Sequence, residues 1–153
     1  MTGVQTCALP ICTSVVRTEK EEPNDRWGKT CNDFLRKVRN HPSKASEGYY
    51  LSTHLQYFED LFSSLEEITR IVRPGGDCVM VVQDSHYKNV HNDLPAVAVE
   101  MAEELGWKTV SKHAFPASHL MARVNPGARE YRAKPTATEM VLHFSKPIAR
   151  SRA

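Results

Sequence analysis

Apolar residues in the middle of the chain recur at intervals of three and four, which is the spacing of one face of an α-helix. This face consists of Leu55, Phe58, Leu61, Phe62, Leu65, Ile68 and Val72. Ser52 or Thr53 offers an N-cap side chain, while Pro74 and the following Gly75 and Gly76 end the helix. The pattern predicts a long amphipathic helix from about residue 53, packed through its apolar face.

An unbroken apolar run from Cys78 to Val82 follows this turn. A strand with one face in water would alternate, so the run predicts a strand covered on both faces of a largely parallel sheet. The polar segment from Asp84 to Asn92 predicts a loop at the carboxyl end of that strand. Loops in this position hold the functional sites of many α/β proteins.

A second helix and two more strands are predicted after this loop. Asp93 or Asn92 caps the helix, whose apolar face consists of Leu94, Val97, Ala98, Met101 and Leu105. Residues 107–113 and 138–144 have strand patterns. The helix favours parallel pairing of the strands that it joins, whereas the last two strands, with no helix between them, are expected to pair antiparallel.

Composition narrows the class of protein only slightly. With 153 residues, 41% hydrophobic and 25% charged, the chain is one ordinary globular domain, and its net charge of +2 neither identifies nor excludes a nucleic-acid partner. No apolar run approaches the roughly 20 residues of a membrane span, and no signal-peptide pattern is present, so we expect a cytoplasmic protein. The cysteines show no metal-ligand spacing, so we expect no metal.

The first residues are a separate matter. Residues 2–11 (TGVQTCALPI) resemble the translation of a sequencing-library adapter. We therefore expect residues 1–12 to be an artefact that does not belong to the natural protein or to its fold.

Four stretches resemble the DNA methylases that modify exocyclic amines, the N4-cytosine and N6-adenine class. They are RIVRPGG, CVMVVQDS, DLPAVAVEMAEELGW and EMVLHFSK, and the resemblance covers about Tyr50 to Lys146. It implies an α/β chain with a partial Rossmann-like class I methyltransferase fold, in which a parallel sheet ends in an antiparallel hairpin. It also implies S-adenosylmethionine as the cofactor of the intact enzyme, DNA as its substrate, and a place in restriction-modification.

On this resemblance, residues 53–146 form the C-terminal half of a methyltransferase domain. Residues 13–52 are then a polar connector with one short helix, capped by Asn32 and ending near Val38, and residues 147–153 are a tail.

Two motifs of the family are missing. No Gly-x-Gly occurs among the seven glycines, and no two of the nine prolines are adjacent, so the glycine-rich cofactor loop and the Pro-Pro-aromatic catalytic motif are absent. We therefore expect a fragment that neither binds the cofactor nor transfers methyl groups by itself. Its half-sheet should have an unpaired edge or an incompletely covered face, so the fragment is expected to self-associate or to pack loosely.

The resemblance nominates site residues at the end of the central strand. Gln83, Asp84 and Ser85 would form one wall of the pocket, although Asp84 could instead accept hydrogen bonds from backbone amides in a strand-end turn. Lys88 is a candidate DNA contact. Four cations in the long connection 114–137 could hold phosphates or form a solvated loop; they are Arg123, Arg129, Arg132 and Lys134.

Two other functions remain open on the sequence. The acceptor of the methyl group could be RNA or a small molecule instead of DNA. Alternatively, the half-fold could serve as a non-catalytic nucleic-acid-binding or interaction module.

Overall fold

The computed structural model describes residues 22–117 and 137–148, which form a mixed α/β arrangement. The helices are α1 (Lys29–Arg39), α2 (Leu51–Ile71) and α3 (Leu94–Glu104). The strands are β1 (Asp77–Gln83), β2 (Ser85–Tyr87), β3 (Val90–Asn92), β4 (Lys108–Pro116) and β5 (Thr138–Ser145). A 3-10 turn (Asp25–Trp27) precedes α1, and a π-helical turn (Ser46–Tyr50) leads into α2.

Helix α2 buries the predicted apolar face, including Leu55, Phe58, Phe62 and Leu65. Its start differs from the prediction, because the helix begins at Leu51 and neither Ser52 nor Thr53 is the N-cap. The N-cap residue is Tyr50, whose backbone N–H donates to the carbonyl of Ala45 at 3.2 Å within the preceding turn. The chain thus enters α2 already helical, so a side-chain cap is not needed there.

The predicted Pro-Gly-Gly turn joins α2 to β1 and is held by the residue after β5. Gly75 has φ +78°, and a Cβ at Gly76 would lie 2.7 Å from Val72 Cγ1, so both positions favour glycine. Gly75 N–H donates to the carbonyl of Lys146, and Lys146 N–H donates to that of Gly76, both at 2.8 Å. The Lys146 ammonium also donates to the carbonyls of Thr69 and Val72, which caps the last turn of α2.

Strand β5 lies in the middle of a three-stranded sheet and is antiparallel to both β1 and β4. The predicted antiparallel pairing of the last two strands is therefore confirmed. Strands β1 and β4 run in the same direction and are joined through α3, but the prediction that they pair with each other is wrong. Strand β5 lies between them and supplies the backbone hydrogen bonds of both, so β1 is an edge strand among the described residues.

Only one face of β1 is covered within the described residues, which corrects the prediction of two covered faces. Met80 and Val82 pack against the helical core, whereas Val79 and Val81 are 62% and 66% exposed. Strand register places these two valines on one face with Val141 of β5 and Phe115 of β4, and Val110 is exposed beside them at the irregularity of β4. We call this surface the uncovered sheet face; it comprises Val79, Val81, Val110, Phe115 and Val141.

The segment before α2 belongs to the core and is more than a connector. Trp27 is fully buried, and α1 places Cys31, Phe34, Leu35 and Val38 in the same cluster as the buried face of α2.

The N-terminus of α1 lies four residues earlier than predicted, because Gly28, not Asn32, is its N-cap. The carboxylate of Glu100 on α3 accepts from the backbone N–H of Thr30 at 2.9 Å and from the Thr30 hydroxyl. A Cβ at Gly28 would collide with Glu100, and φ there is +85°. A carboxylate 70 residues away thus satisfies this helix end.

Helix α3 packs on the covered face of the sheet. Asp93 is its N-cap, as predicted, and accepts from the N–H of Ala96 at 3.1 Å. The second core cluster consists of Ala98, Val99, Ala102, Trp107, Leu142 and Phe144. The indole N–H of Trp107 donates to Thr69 Oγ1 at 2.7 Å, which links the start of β4 to α2.

Substitution of Phe58 by alanine should lower the free energy of unfolding by about 3–5 kcal/mol, because this ring is 0% exposed and its loss leaves a cavity. The neighbouring Tyr57 is 45% exposed, so Tyr57→Ala should cost about 1 kcal/mol or less and is the matched control. Urea unfolding of both variants measures the difference, and equal costs would contradict this assignment of the core.

Candidate functional site

Asp84 follows β1 and fastens it to the start of β5. Its Oδ1 accepts from the Thr138 N–H at 2.7 Å, and its own N–H donates to the Thr138 carbonyl at 3.1 Å. Its Oδ2 lies 2.9 Å from His91 Nε2, and the side chain is only 15% exposed. Asp84 therefore does accept from a backbone amide, but that amide comes from β5 and not from the residues that follow Asp84.

Ser85 and Gln83, the other two residues predicted for the pocket wall, lie in different environments. Ser85 Oγ accepts from Asn92 Nδ2 at 3.0 Å, and Asn92 is buried. Gln83 is exposed and pairs with Glu139 in register with the uncovered sheet face. The structure thus brings Asp84 and Ser85 to the base of β2 and leaves Gln83 on the sheet.

The segment Asp84 to Asn92, predicted to be a loop, contains the antiparallel hairpin of β2 and β3. Lys88 lies at the hairpin tip with φ +55°, and its Nζ is 5.9 Å from the centroid of the Tyr87 ring. Three-residue strands are too short for a periodic pattern to distinguish them from a polar loop. The hairpin rises from the carboxyl end of β1.

Tyr87 is buried at the centre of a group of rings from three segments of the chain. Its ring centroid lies 5.2 Å from that of Tyr50, 5.5 Å from His41 and 5.9 Å from His54. Tyr49 contacts Tyr50 edge-on at 5.3 Å, and both tyrosines are exposed. We call these five residues the aromatic cluster. The sequence alone does not predict this cluster, and the adjacent pair Tyr49-Tyr50 is its one local signal.

A hydrogen-bond network surrounds the Tyr87 hydroxyl, which lies 2.7 Å from Ser46 Oγ and 3.1 Å from Ser43 Oγ. His41 Nδ1 lies 2.8 Å from Ser43 Oγ, and His41 Nε2 lies 2.8 Å from Asn89 Oδ1. Because an amide oxygen only accepts, the proton of His41 is on Nε2 and Nδ1 accepts from Ser43. The network therefore ties the hairpin tip to the turn before α2.

This network resembles a hydroxyl, a base and an orienting amide in series, which is the arrangement of a nucleophilic site. Ser43 Oγ, however, also lies 2.6 Å from Ser46 Oγ. With three partners around it, the Ser43 oxygen is engaged in holding the fold. The arrangement ties the aromatic cluster to the turn before α2 and does not by itself provide a free nucleophile.

Burial shifts the pKa of His54, in the aromatic cluster, and of Cys31, on α1. It lowers the pKa of His54, whose ring contacts Phe34 edge-on at 5.0 Å, so His54 is held in its neutral form. It also raises the pKa of the Cys31 thiol, and the nearby Glu100 carboxylate raises it further. Cys31 is therefore a protonated core residue with little thiolate character.

A shallow cleft of about 490 Å³ lies between α1 and the β2–β3 hairpin. It is lined by Thr30, Asp33, Phe34, Lys37, Asn89, Val90, His91 and Asp93. Its acidic groups have partners, since Asp33 pairs with Lys29 and Arg36, and Asp93 caps α3. These carboxylates are therefore committed to holding helices.

The described residues do not form a cradle for S-adenosylmethionine of the glycine-rich kind. The glycines in residues 22–117 lie at the N-cap of α1, in the turn before α2, between α2 and β1, and after α3. The carboxyl end of β1 carries the hairpin instead. No group of three or more His, Cys, Asp or Glu side chains in the described ranges is arranged to hold a metal ion.

The four candidate phosphate contacts Arg123, Arg129, Arg132 and Lys134 lie outside the described residues. Of the helices that the structure does describe, none is long and apolar enough to cross a membrane.

No protein-family model matches the chain, and the searches of curated proteins and of solved structures return no match either. The methylase resemblance therefore depends on the sequence stretches quoted above.

Replacement of Asp84 by alanine should destabilise the fold by about 1–3 kcal/mol, because the Thr138 N–H loses its acceptor in a largely buried place. Asp84→Asn keeps an oxygen for that N–H and should cost less. Denaturant unfolding of the two variants tests this order. An alanine variant as stable as the unsubstituted chain would show that Asp84 is free for another role.

The depressed pKa of His54 predicts a pH dependence of stability. Because the folded state binds this proton more weakly than the unfolded state, the unfolded state takes up more protons as the pH falls below the ordinary value of 6.5. Stability should therefore be fully present above that pH and decline below it. Unfolding free energies at about pH 7.5 and about pH 5.5 should differ less in His54→Phe than in the unsubstituted chain. An unchanged difference would exclude His54 as the cause.

Proposed function

We propose that this chain is the C-terminal part of a DNA methyltransferase that transfers the methyl group of S-adenosylmethionine to an exocyclic base amine. The observation that carries the proposal is the coincidence of the four methylase-like stretches with helices and strands of the structure, in the same order along the chain. RIVRPGG ends α2 and forms the turn, CVMVVQDS covers β1 and the start of β2, and the third and fourth stretches cover α3 and β5.

The order and direction of these elements also support the proposal. Two strands of the same direction, β1 and β4, are joined through α3, and the last strand is antiparallel to β4. The resemblance implies this connection and an antiparallel hairpin at the end of the sheet. The full Rossmann-like sheet also requires parallel strand pairs. In the proposed parent protein, another strand would form such a pair with the unpaired edge of β1.

In the intact enzyme, the end of β1 and the hairpin would supply one wall of the base pocket. Asp84 is held by Thr138 and His91, and Ser85 by Asn92, so both side chains of this wall are positioned by hydrogen bonds. The exposed rings of Tyr49 and Tyr50 lie beside the same hairpin and have the character of surfaces on which nucleic-acid bases stack. Orientation of the cofactor and the catalytic contacts would come from other parts of the parent protein.

Methyl transfer should accordingly require more than this chain. Holding the methyl donor and the amine in reacting geometry can account for roughly 7–11 kcal/mol of barrier, and one wall cannot orient two reactants. Residues 13–153 alone should show no binding of S-adenosylmethionine by calorimetry. The same residues joined to the upstream coding region of their gene should bind it and transfer a radiolabelled methyl group to DNA.

Mass spectrometry of the digested DNA should then find N6-methyladenine or N4-methylcytosine. Label in RNA or in a small molecule would favour the other acceptors, and nucleic-acid binding without cofactor binding by the extended protein would favour a non-catalytic module. Tight cofactor binding by residues 13–153 would place the cofactor site within them and overturn the proposed division.

A further inference from the structure

The two edges of the three-stranded sheet differ in how they are protected. The β4 edge has Lys108 and Lys112, a register irregularity between Thr109 and Ser111, and Pro116 at its end. Lysines, bulges and prolines are the features by which proteins prevent pairing at a sheet edge. Strand β1 has none of them along Asp77–Gln83, and its register with β5 is continuous. The β1 edge is therefore suited to accept another strand.

We propose that a second copy of this chain occupies that edge, with the two β1 strands paired antiparallel about Met80. The strand is self-complementary in this register. Asp77 of one copy lies opposite Gln83 of the other, and Val79 lies opposite Val81, so the five apolar positions are enclosed between polar ends. Like charges directly opposite each other would oppose the pairing, and this register contains none.

This pairing also joins the apolar surfaces of the two copies. A twofold axis perpendicular to the sheet keeps each face on its own side, so α2 and α3 of both copies remain on the covered side. Val79 and Val81 of the two copies then become neighbours in one continuous sheet built from two three-stranded halves. The interface is isologous and closes as a dimer, because each copy contributes the same strand.

The dimer does not depend on the proposed methyltransferase function, since it concerns only the described sheet. In a longer parent protein an upstream strand would compete for the same edge. The two proposals are measured by different assays, cofactor binding for one and oligomeric state for the other, so either can fail alone.

Sedimentation equilibrium of the full chain tests the dimer, with Val79→Lys/Val81→Lys as the disrupting variant. This variant places lysines opposite lysines across the proposed pair and should weaken dimerisation by about tenfold or more. The matched control is Val110→Lys/Phe115→Lys, which adds the same charge to the same sheet face at the β4 edge. The control should dimerise like the unsubstituted chain.

Each alternative outcome contradicts the proposal in a recognisable way. A monomer at every concentration excludes the dimer, and equal weakening by both double variants would show association through the uncovered sheet face instead of the edge. Circular dichroism checks that the variants are folded.

Hydrogen exchange of the unsubstituted chain tests the dimer without any variant. The amides of residues 77–83 should gain protection as the protein concentration rises, while those of residues 108–116 should not. Unchanged protection of residues 77–83 would overturn the proposal.

The register can be tested with charges at the ends of the strand. Gln83→Asp places a carboxylate opposite Asp77 of the other copy and should weaken the dimer. Adding Asp77→Lys to this variant restores opposite charges and should recover the affinity. Failure of the second substitution to recover it would exclude pairing about Met80.

Discussion

The position of β5 between β1 and β4 is the constraint on which the described sheet depends. Every strand pair in the three-stranded sheet includes β5, and both ends of β1 are fastened to it. At one end Thr138 bonds with Asp84, and at the other Lys146 bonds with Gly75 and Gly76. Helix α3 packs on a sheet surface that exists only after these contacts between distant segments have formed. Formation of the second core cluster therefore has to wait for the last strand, which is a costly non-local closure.

Local patterns in the sequence predict the elements well, and the reason is physical. The apolar periodicity of α2, the Asp93 cap and the Pro-Gly-Gly turn each depend on residues within a few positions of one another. The structure contains all three. The direction of β5 relative to β4 was also predictable, because a connection without a helix favours antiparallel pairing.

Contacts between distant segments account for what the sequence did not predict. The Thr30 N–H at the start of α1 is satisfied by Glu100 of α3, a residue 70 positions away in the chain. The aromatic cluster joins residues around His41, Tyr50 and Tyr87, and no spacing rule relates such positions. The insertion of β5 between its neighbours is likewise a choice of topology that several arrangements of the same strands would satisfy. A single sequence does not distinguish these alternatives.

The contacts of Asp84 indicate a structural role for a residue that the sequence places among the candidate site residues. Both carboxylate oxygens are engaged, one by the Thr138 amide and one by His91. A carboxylate that also holds two strands together can shape a pocket wall, but its use as a proton acceptor would weaken the sheet. The base-binding chemistry of the proposed enzyme is therefore better assigned to groups outside this strand end, with Asp84 maintaining the wall.

The apolar run of β1 connects the two proposals. Five consecutive apolar residues are typical of a strand covered on both sides, yet the described part of the chain leaves Val79 and Val81 exposed and one edge unpaired. Exposed valines on an unprotected edge favour association with another strand. A strand of a longer parent and a second copy of this chain would each supply that strand. Since both would use the same backbone groups of β1, the proposed dimer and a parent strand at this edge exclude each other.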